Sequence, residues 1–185
     1  HEEGAGIMAD AYAKATGKTG VCFVTRGPGL THLSIALHTA KQDSTPLVAF
    51  VGQVSRNFLH REAFQEINVV EFAGPVSKWA FELNNSDRVA ELVNMAFHVA
   101  ESGRPGPVVI SLPEDIDRSD CAKQPFMKKR DSISKSITKE DAKTVSDMIC
   151  LAERPCIIAG EGVLRRNFTE ILVEFAEPVS YTHLR

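Results

Sequence analysis

Val21-Cys22-Phe23-Val24-Thr25-Arg26-Gly27-Pro28-Gly29 is the stretch on which the fold turns. Its first four residues are short, apolar and preceded by glycine, as a fully buried strand would be. Gly27-Pro28-Gly29 breaks the strand, and a helical pattern resumes at Leu30, Leu33 and Leu37. On the amino side, Ile7, Met8, Ala11, Tyr12 and Ala15 recur at helical spacing over residues 1–16. Gly17 then supplies the left-handed cap that stops that helix. Helix, strand, glycine turn and helix bring Glu2 and the turn towards one edge of a sheet. The crevice at the carboxyl ends of such strands is where α/β folds hold ligands.

On the carboxyl side the alternation continues. The helix from Leu30 runs over residues 30–41 and ends at Asp43-Ser44-Thr45-Pro46, because the residue before proline is pushed out of helix geometry. Residues 47–51 read as a second buried strand closed by Gly52, and residues 53–61 as a polar loop. Residues 65–72 form a short helix stopped by Gly74-Pro75, and residues 77–83 a strand in which Trp79 packs. Ser86 or Asp87 caps the next helix, whose buried face is Val89, Leu92, Val93, Ala96, Phe97 and Ala100. After a rigid turn over residues 103–107, residues 108–112 give a third buried strand. Strands alternating with helices predict an α/β fold: a mainly parallel sheet with helices on both faces.

Composition shifts at Asp117. Residues 118–137 are rich in serine and lysine, and Lys128-Lys129-Arg130 reads as part of an exposed linker, not as a nucleic-acid patch. Residues 138–177 open a second, middle α/β domain: a helix over 138–153, a strand over 155–159 and a helix over 168–176. Residues 178–185 fit no pattern and resemble translated adaptor sequence, so no function is drawn from them.

The 185 residues are 43% hydrophobic and 24% charged, the balance of a soluble globular protein. A net charge of -3 gives no general attraction to nucleic acid. Cys22, Cys121, Cys150 and Cys156 are scattered, with neither a close-spaced metal pair nor a disulfide framework. Cys22 and Cys156 lie in apolar runs and read as buried free thiols. No apolar run approaches membrane-spanning length and no signal peptide opens the chain, so a reducing cytoplasm is the expected setting.

Six motifs occur in one order: His1-Glu2-Glu3-Gly4-Ala5, Thr25-Arg26-Gly27-Pro28-Gly29, Gln42-Asp43-Ser44-Thr45-Pro46, Gly52-Gln53-Val54, Ala63-Phe64-Gln65-Glu66 and Gly103-Arg104-Pro105-Gly106-Pro107-Val108. Together they resemble the pyrimidine-binding domain of thiamine-diphosphate enzymes, nearest the acetolactate synthase-like branch. The resemblance covers residues 1–117 and continues more weakly into that family's middle domain. It implies that residues 1–117 are a partial pyrimidine domain, since a strand, a helix and a strand would precede Glu2. The chain is therefore expected to be a fragment, inactive alone, of a lyase or transferase that decarboxylates or joins 2-keto acids. An oxalyl-CoA decarboxylase or 2-hydroxyacyl-CoA lyase, or a non-catalytic cofactor-binding module on the same fold, are the alternatives. The implied cofactors are thiamine diphosphate and Mg2+, the latter held by a carboxyl-terminal domain outside this chain. FAD is compatible with the branch, but no residue here indicates it. The implied partner is a second copy of the parent, as homodimer or homotetramer, with the cofactor at the subunit interface.

The same resemblance assigns roles. Glu2 matches the glutamate that hydrogen-bonds N1′ of the aminopyrimidine and shares a proton with it. Such a group is expected to be desolvated enough to hold a proton near neutrality. Read without the motifs, Glu2 is an acidic residue favoured by a helix dipole. Pro28 and Gly29 match residues that approach the cofactor ring, or else they make an ordinary tight turn. His32 stands where acetolactate synthases usually carry asparagine, and can still donate a hydrogen bond into the cleft. Gln65 matches an active-site glutamine beside Phe64, and otherwise reads as a surface helix residue. Phe64, Gln65 and His60 are the candidate substrate contacts, although a solvated loop histidine is the plainer reading of His60. Glu114 stands where acetolactate synthases often carry a basic residue. No metal-ligand set is read within this chain, and Gly160-Glu161-Gly162 reads as a turn.

Overall fold

A computed structural model describes residues 1–121, 136–165 and 167–177. The backbone divides into two units, His1–Ser132 and Ile133–Arg185. In the first, the elements are α1 (Glu2–Thr16), β1 (Gly20–Thr25), α2 (Arg26–Gln42), β2 (Leu47–Gln53), α3 (Val69–Ala73), β3 (Trp79–Glu82), α4 (Val89–Glu101), β4 (Pro107–Pro113) and α5 (Glu114–Asp117). The strands lie in the order β1-β2-β4-β3 and every neighbouring pair is parallel. All four therefore end at one edge, where Thr25, Gln53, Glu82 and Pro113 are the last residues.

Strand alternation divides the core between the two faces. Leu47, Ala49 and Val51 of β2 join Cys22 and Val109 in one cluster with Ala9 of α1, Leu30, Leu33 and Leu37 of α2 and Val69 of α3. Val48, Val108 and Ile110 point the other way, onto Leu92, Ala96 and Ala100 of α4. Val89, Val93 and Phe97 complete that α4 face as partly buried residues. Helices thus lie on both faces of a parallel sheet, as the alternating pattern predicts.

Several local expectations change. β1 is an edge strand: Cys22 is buried, but Val21 and Phe23 are exposed, Phe23 to 67%. Its outer face is left uncovered, and Phe23 stacks there on Phe50 with ring centroids 4.6 Å apart. The apolar stripe of α1 also faces outwards, with Ile7, Met8 and Tyr12 exposed, while Gly6, Ala9 and Ala13 are buried. The reason is fit. A Cβ on Gly6 would lie 2.5 Å from Ala36 Cβ and Leu33 Cδ1, so only the small-residue face lets α1 settle against α2. Gly17, at φ 68°, caps α1 as expected.

Gly27-Pro28-Gly29 is the first turn of α2 and not a separate turn, since the helix starts at Arg26. Proline is accepted there because the first N–H groups of a helix have no intrahelical partner. Gly52 does not close β2, which continues through Gln53. The short helix begins only at Val69, where the Asn68 side chain accepts a hydrogen bond from the Glu71 N–H, so Gln65 lies in the preceding loop. Before α4 the capping side chain is Asn85, which accepts from the Asp87 N–H in a short 3-10 turn, and not Ser86 or Asp87. Trp79 packs by stacking on Phe81, at 4.1 Å between ring centroids.

In the second unit, α6 (Lys139–Leu151) opens with a capping box between Thr138 and Asp141, and α7 (Gly162–Arg165) and α8 (Thr169–Ala176) follow. Residues 155–159 do not form the expected strand. No other strand is present among the described residues of this unit to supply a ladder, Ile158 is 94% exposed, and Cys156 is exposed rather than buried. Gly160-Glu161-Gly162 is a turn entering α7, as read from sequence. Lys128-Lys129-Arg130 and residues 178–185 lie outside the described residues. Among the described residues, no helix is long and apolar enough to cross a membrane.

Candidate functional site

Glu2 is the first residue of α1, after the N-cap His1, whose carbonyl accepts the Ala5 N–H at 3.1 Å. Glu2 and Glu3 place two carboxylates in the first turn, where the partial positive charge of the helix end favours them. The close approach allowed by Gly6 brings this turn against α2. There Glu2 Oε2 and His32 Nδ1 stand 3.0 Å apart, with the side chains 33% and 53% exposed. With Glu2 ionised, Nδ1 carries the hydrogen and the carboxylate accepts. The His1 ring stacks on that of His32, with centroids 4.7 Å apart and planes at 26°. Gly29 is buried beside them: a Cβ there would lie 3.2 Å from Val24 Cβ and 3.6 Å from Glu2 Cγ.

The electrostatics run against one expectation. The His32 hydrogen bond, followed by Glu2's own backbone N–H, holds the Glu2 carboxyl below its ordinary 4.5. In the free chain these hydrogen bonds outweigh the partial burial of Glu2, which acts the other way. It lies partly exposed at the start of a helix beside an imidazole, and the helix end and the imidazole both favour the charged form.

A second group forms where the loop after β2 meets the start of α2. Gly27 N–H, left without an intrahelical partner, donates to Gln65 O at 3.0 Å. Arg26 Nη1 donates to Phe64 O at 3.0 Å, and Arg26 also pairs with Glu114 at 3.5 Å across the strand ends. Gln65 is thus brought to the glycine turn through its backbone, and Phe64 projects outwards, 76% exposed. Pro28 lies exposed in the same first turn of α2. His60, Glu62 and Gln65 all have positive φ, at 64°, 53° and 62°, a strained backbone for side-chain-bearing residues. Glu66 ties this loop together: its carboxylate accepts from His60 N–H at 2.6 Å and Ala63 N–H at 3.0 Å. Those backbone donors, His60 first, hold the Glu66 carboxyl below 4.5. Beside the loop is a cleft of about 470 Å³ whose lining includes Gln53, His60, Glu62, Glu66 and Glu82.

The sequence motifs include Gln53 without assigning it a role. It is buried at the end of β2, where its Nε2 donates to Ile67 O at 2.6 Å and its Oε1 accepts from Val54 N–H at 2.9 Å. A polar residue closing an apolar strand was the available signal. The proximity of His1 and His32 had none, since 31 positions separate them in the chain.

The sequence has relatives among known proteins. Residues 1–72 match the family described as thiamine pyrophosphate enzyme, N-terminal TPP binding domain. The glyoxylate carboligase of Escherichia coli O157:H7 is 38% identical over 182 residues, covering 97% of this chain and 31% of its own length. The acetolactate synthase of Mycobacterium bovis is 38% identical over 180 residues, 96% of this chain and 29% of its own. That of Mycobacterium leprae is 39% identical over 181 residues, with the same coverage. The chain thus spans less than a third of the length of the curated relatives it matches.

Proposed function

Residues 1–72 of this chain belong to the N-terminal TPP-binding domain of thiamine pyrophosphate enzymes, and from that premise we propose that the parent protein cleaves or joins 2-keto acids, with Glu2 activating the cofactor. The cofactor, when bound, supplies the acidic thiazolium carbon on which that chemistry depends. Glu2 holds a proton at N1′ of the aminopyrimidine and passes it back during turnover. His32 orients the carboxylate for that role by its 3.0 Å hydrogen bond. The position of Glu2 carries this reading: it opens a helix inside the matched residues, with one face open and a bare glycine beside it.

The residues fit an aminopyrimidine. A carboxylate keeps acceptor capacity beyond one imidazole, and at Gly29 the start of α2 has no side chain to crowd it. A ring that shuts out water would raise the affinity of Glu2 for a proton above that of the open state. The residues do not fit the diphosphate and its Mg2+, which needs an all-oxygen, near-octahedral set. We assign those ligands to a domain of the parent outside this chain, and the substrate-selecting pocket with them. The relatives named for acetolactate synthesis and glyoxylate carboligation support carboligation as the parent's reaction. Phe64, Gln65 and His60 are the proposed substrate contacts from this side. Four free thiols suit a reducing cytoplasm.

The parent is proposed to work as a dimer or larger oligomer. Support comes from the open apolar face of α1, where Met8 is 68% exposed, and from the exposed Pro28 at the cofactor-facing turn.

The test is Glu2→Gln in the full-length parent. Glutamine keeps size and hydrogen bonding but cannot share the proton. Exchange of the cofactor's C2 proton should slow by about 10²–10⁴-fold with cofactor still bound, while Glu3→Gln should cost far less. Equal losses in the two variants would leave Glu2 with only a charge effect at a helix start.

A further inference from the structure

His1, Glu2 and His32 each offer one ligand atom, and the three atoms lie within 4.8 Å of one another. The geometry points to a binding site there for a divalent transition-metal ion of the Zn2+ class. Glu2 Oε2 and His32 Nδ1 are already 3.0 Å apart. Two ligand atoms about 2.0–2.1 Å from one tetrahedral Zn2+ stand roughly 3.3 Å from each other, so this pair needs little movement to share an ion once the Nδ1 hydrogen passes through solvent to Nε2. The His1 ring now lies stacked on the His32 ring with planes at 26°, and it must turn out of that stack to aim a nitrogen at the same ion, a rotation its exposed position allows. Both histidines are exposed and Glu2 is partly so, which lets an ion enter without opening the fold and leaves a coordination position for water.

The donor set decides the class of ion. Two imidazoles and a carboxylate suit zinc, copper or nickel, whereas Mg2+ and Ca2+ take oxygen cages. The positive end of α1 opposes a cation, but that end amounts to roughly half an elementary charge. Two full negative charges, on Glu2 and Glu3, stand in the same turn. An ion held here occupies the Glu2 carboxylate. On the function proposed above, on which this consequence alone rests, the ion would exclude the aminopyrimidine and inhibit turnover.

Binding is tested on this chain with two residues added ahead of His1, so that a terminal amine cannot ligate. The exposed thiols Cys121, Cys150 and Cys156 are replaced by serine for the same reason. Calorimetric titration with Zn2+ should give one site per chain. Glu2→Gln and His32→Asn, on two different helices, should each weaken it by more than about 10-fold. His38→Asn, an exposed histidine of α2 outside the cluster, should not. Mg2+ at equal concentration should give no binding heat. Absence of a stoichiometric site, or a site that both Glu2→Gln and His32→Asn leave intact, overturns the proposal, as does equal affinity for Mg2+. Zn2+ that binds as described yet leaves turnover of the full-length parent untouched would retain the metal site and refute the role given to Glu2, so the two failures are distinguishable.

Discussion

Glu2 at the start of α1 and His32 in the second turn of α2 share a hydrogen bond of 3.0 Å, although 30 positions separate them in the chain. That bond is the first cause of the lowered proton affinity of Glu2. His32→Asn should therefore move the Glu2 pKa upwards, towards 4.5, because a neutral amide interacts less strongly with the charged form. Carboxyl-carbon NMR titration of the two proteins reads the shift. A Glu2 titration unchanged by His32→Asn would show that the bond does not form in solution.

Glycine positions in this unit carry opposite expectations. A Cβ on Gly20 would lie 2.1 Å from the Ala9 carbonyl oxygen, which is backbone and cannot turn aside. Gly20→Ala should destabilise by about 3 kcal/mol, at the upper end for overpacking. Gly4, inside α1 with nothing within 4 Å, should gain about 0.5–1 kcal/mol on substitution by alanine. Urea unfolding of both variants checks the contrast, and equal effects would mean that α1 does not seat against β1 as described.

The loop holding Gln65 should depend on pH through Glu66. Its carboxyl pKa is lowered in the folded chain, so the clamp on His60 and Ala63 is fully present above 4.5 and is lost as pH falls through the lowered value. Amide exchange at His60 and Ala63 should accelerate in that acidic range beyond the intrinsic rate. Glu66→Gln should show the faster exchange already at neutral pH, and should speed tryptic cleavage after the already exposed Arg61.

Thiol reactivity should separate the cysteines. Burial pushes the Cys22 thiol up to about 11, so almost no thiolate is present at neutral pH. Alkylation followed by mass spectrometry should label Cys121, Cys150 and Cys156 readily, and Cys22 only on unfolding. Rapid labelling of Cys22 would indicate that β1 opens.

For the full-length parent, on the proposal that the α1 face joins a subunit interface, Met8→Glu with Tyr12→Glu should favour the monomer and lower activity, since the added charges would have to be desolvated there. Sedimentation velocity reads the change. An unaltered oligomer with full activity would remove the α1 face from the interface.

Sequence alone determined the alternation of helices and strands, because glycine, proline and apolar period act locally: Gly17 caps α1, residues 43–46 end α2, and the strands around Cys22, Ala49 and Val109 follow as expected. It also placed Glu2 at a helix start and Gly27 to Gly29 just after a strand, because those signals are local. Tertiary structure decided which face of α1 is buried. Apolar period marks Ile7, Met8 and Tyr12, but close packing against Leu33 and Ala36 admits only Gly6, Ala9 and Ala13. It decided that β1 has one bare face, since cover depends on which elements stand alongside and not on the strand's own residues. It decided, finally, that Glu2 meets His32 and His1 while Gln65 meets Gly27 through backbone alone. Contacts between distant positions arise from how two helices cross and how a strained loop folds back, and neither leaves a period in the sequence.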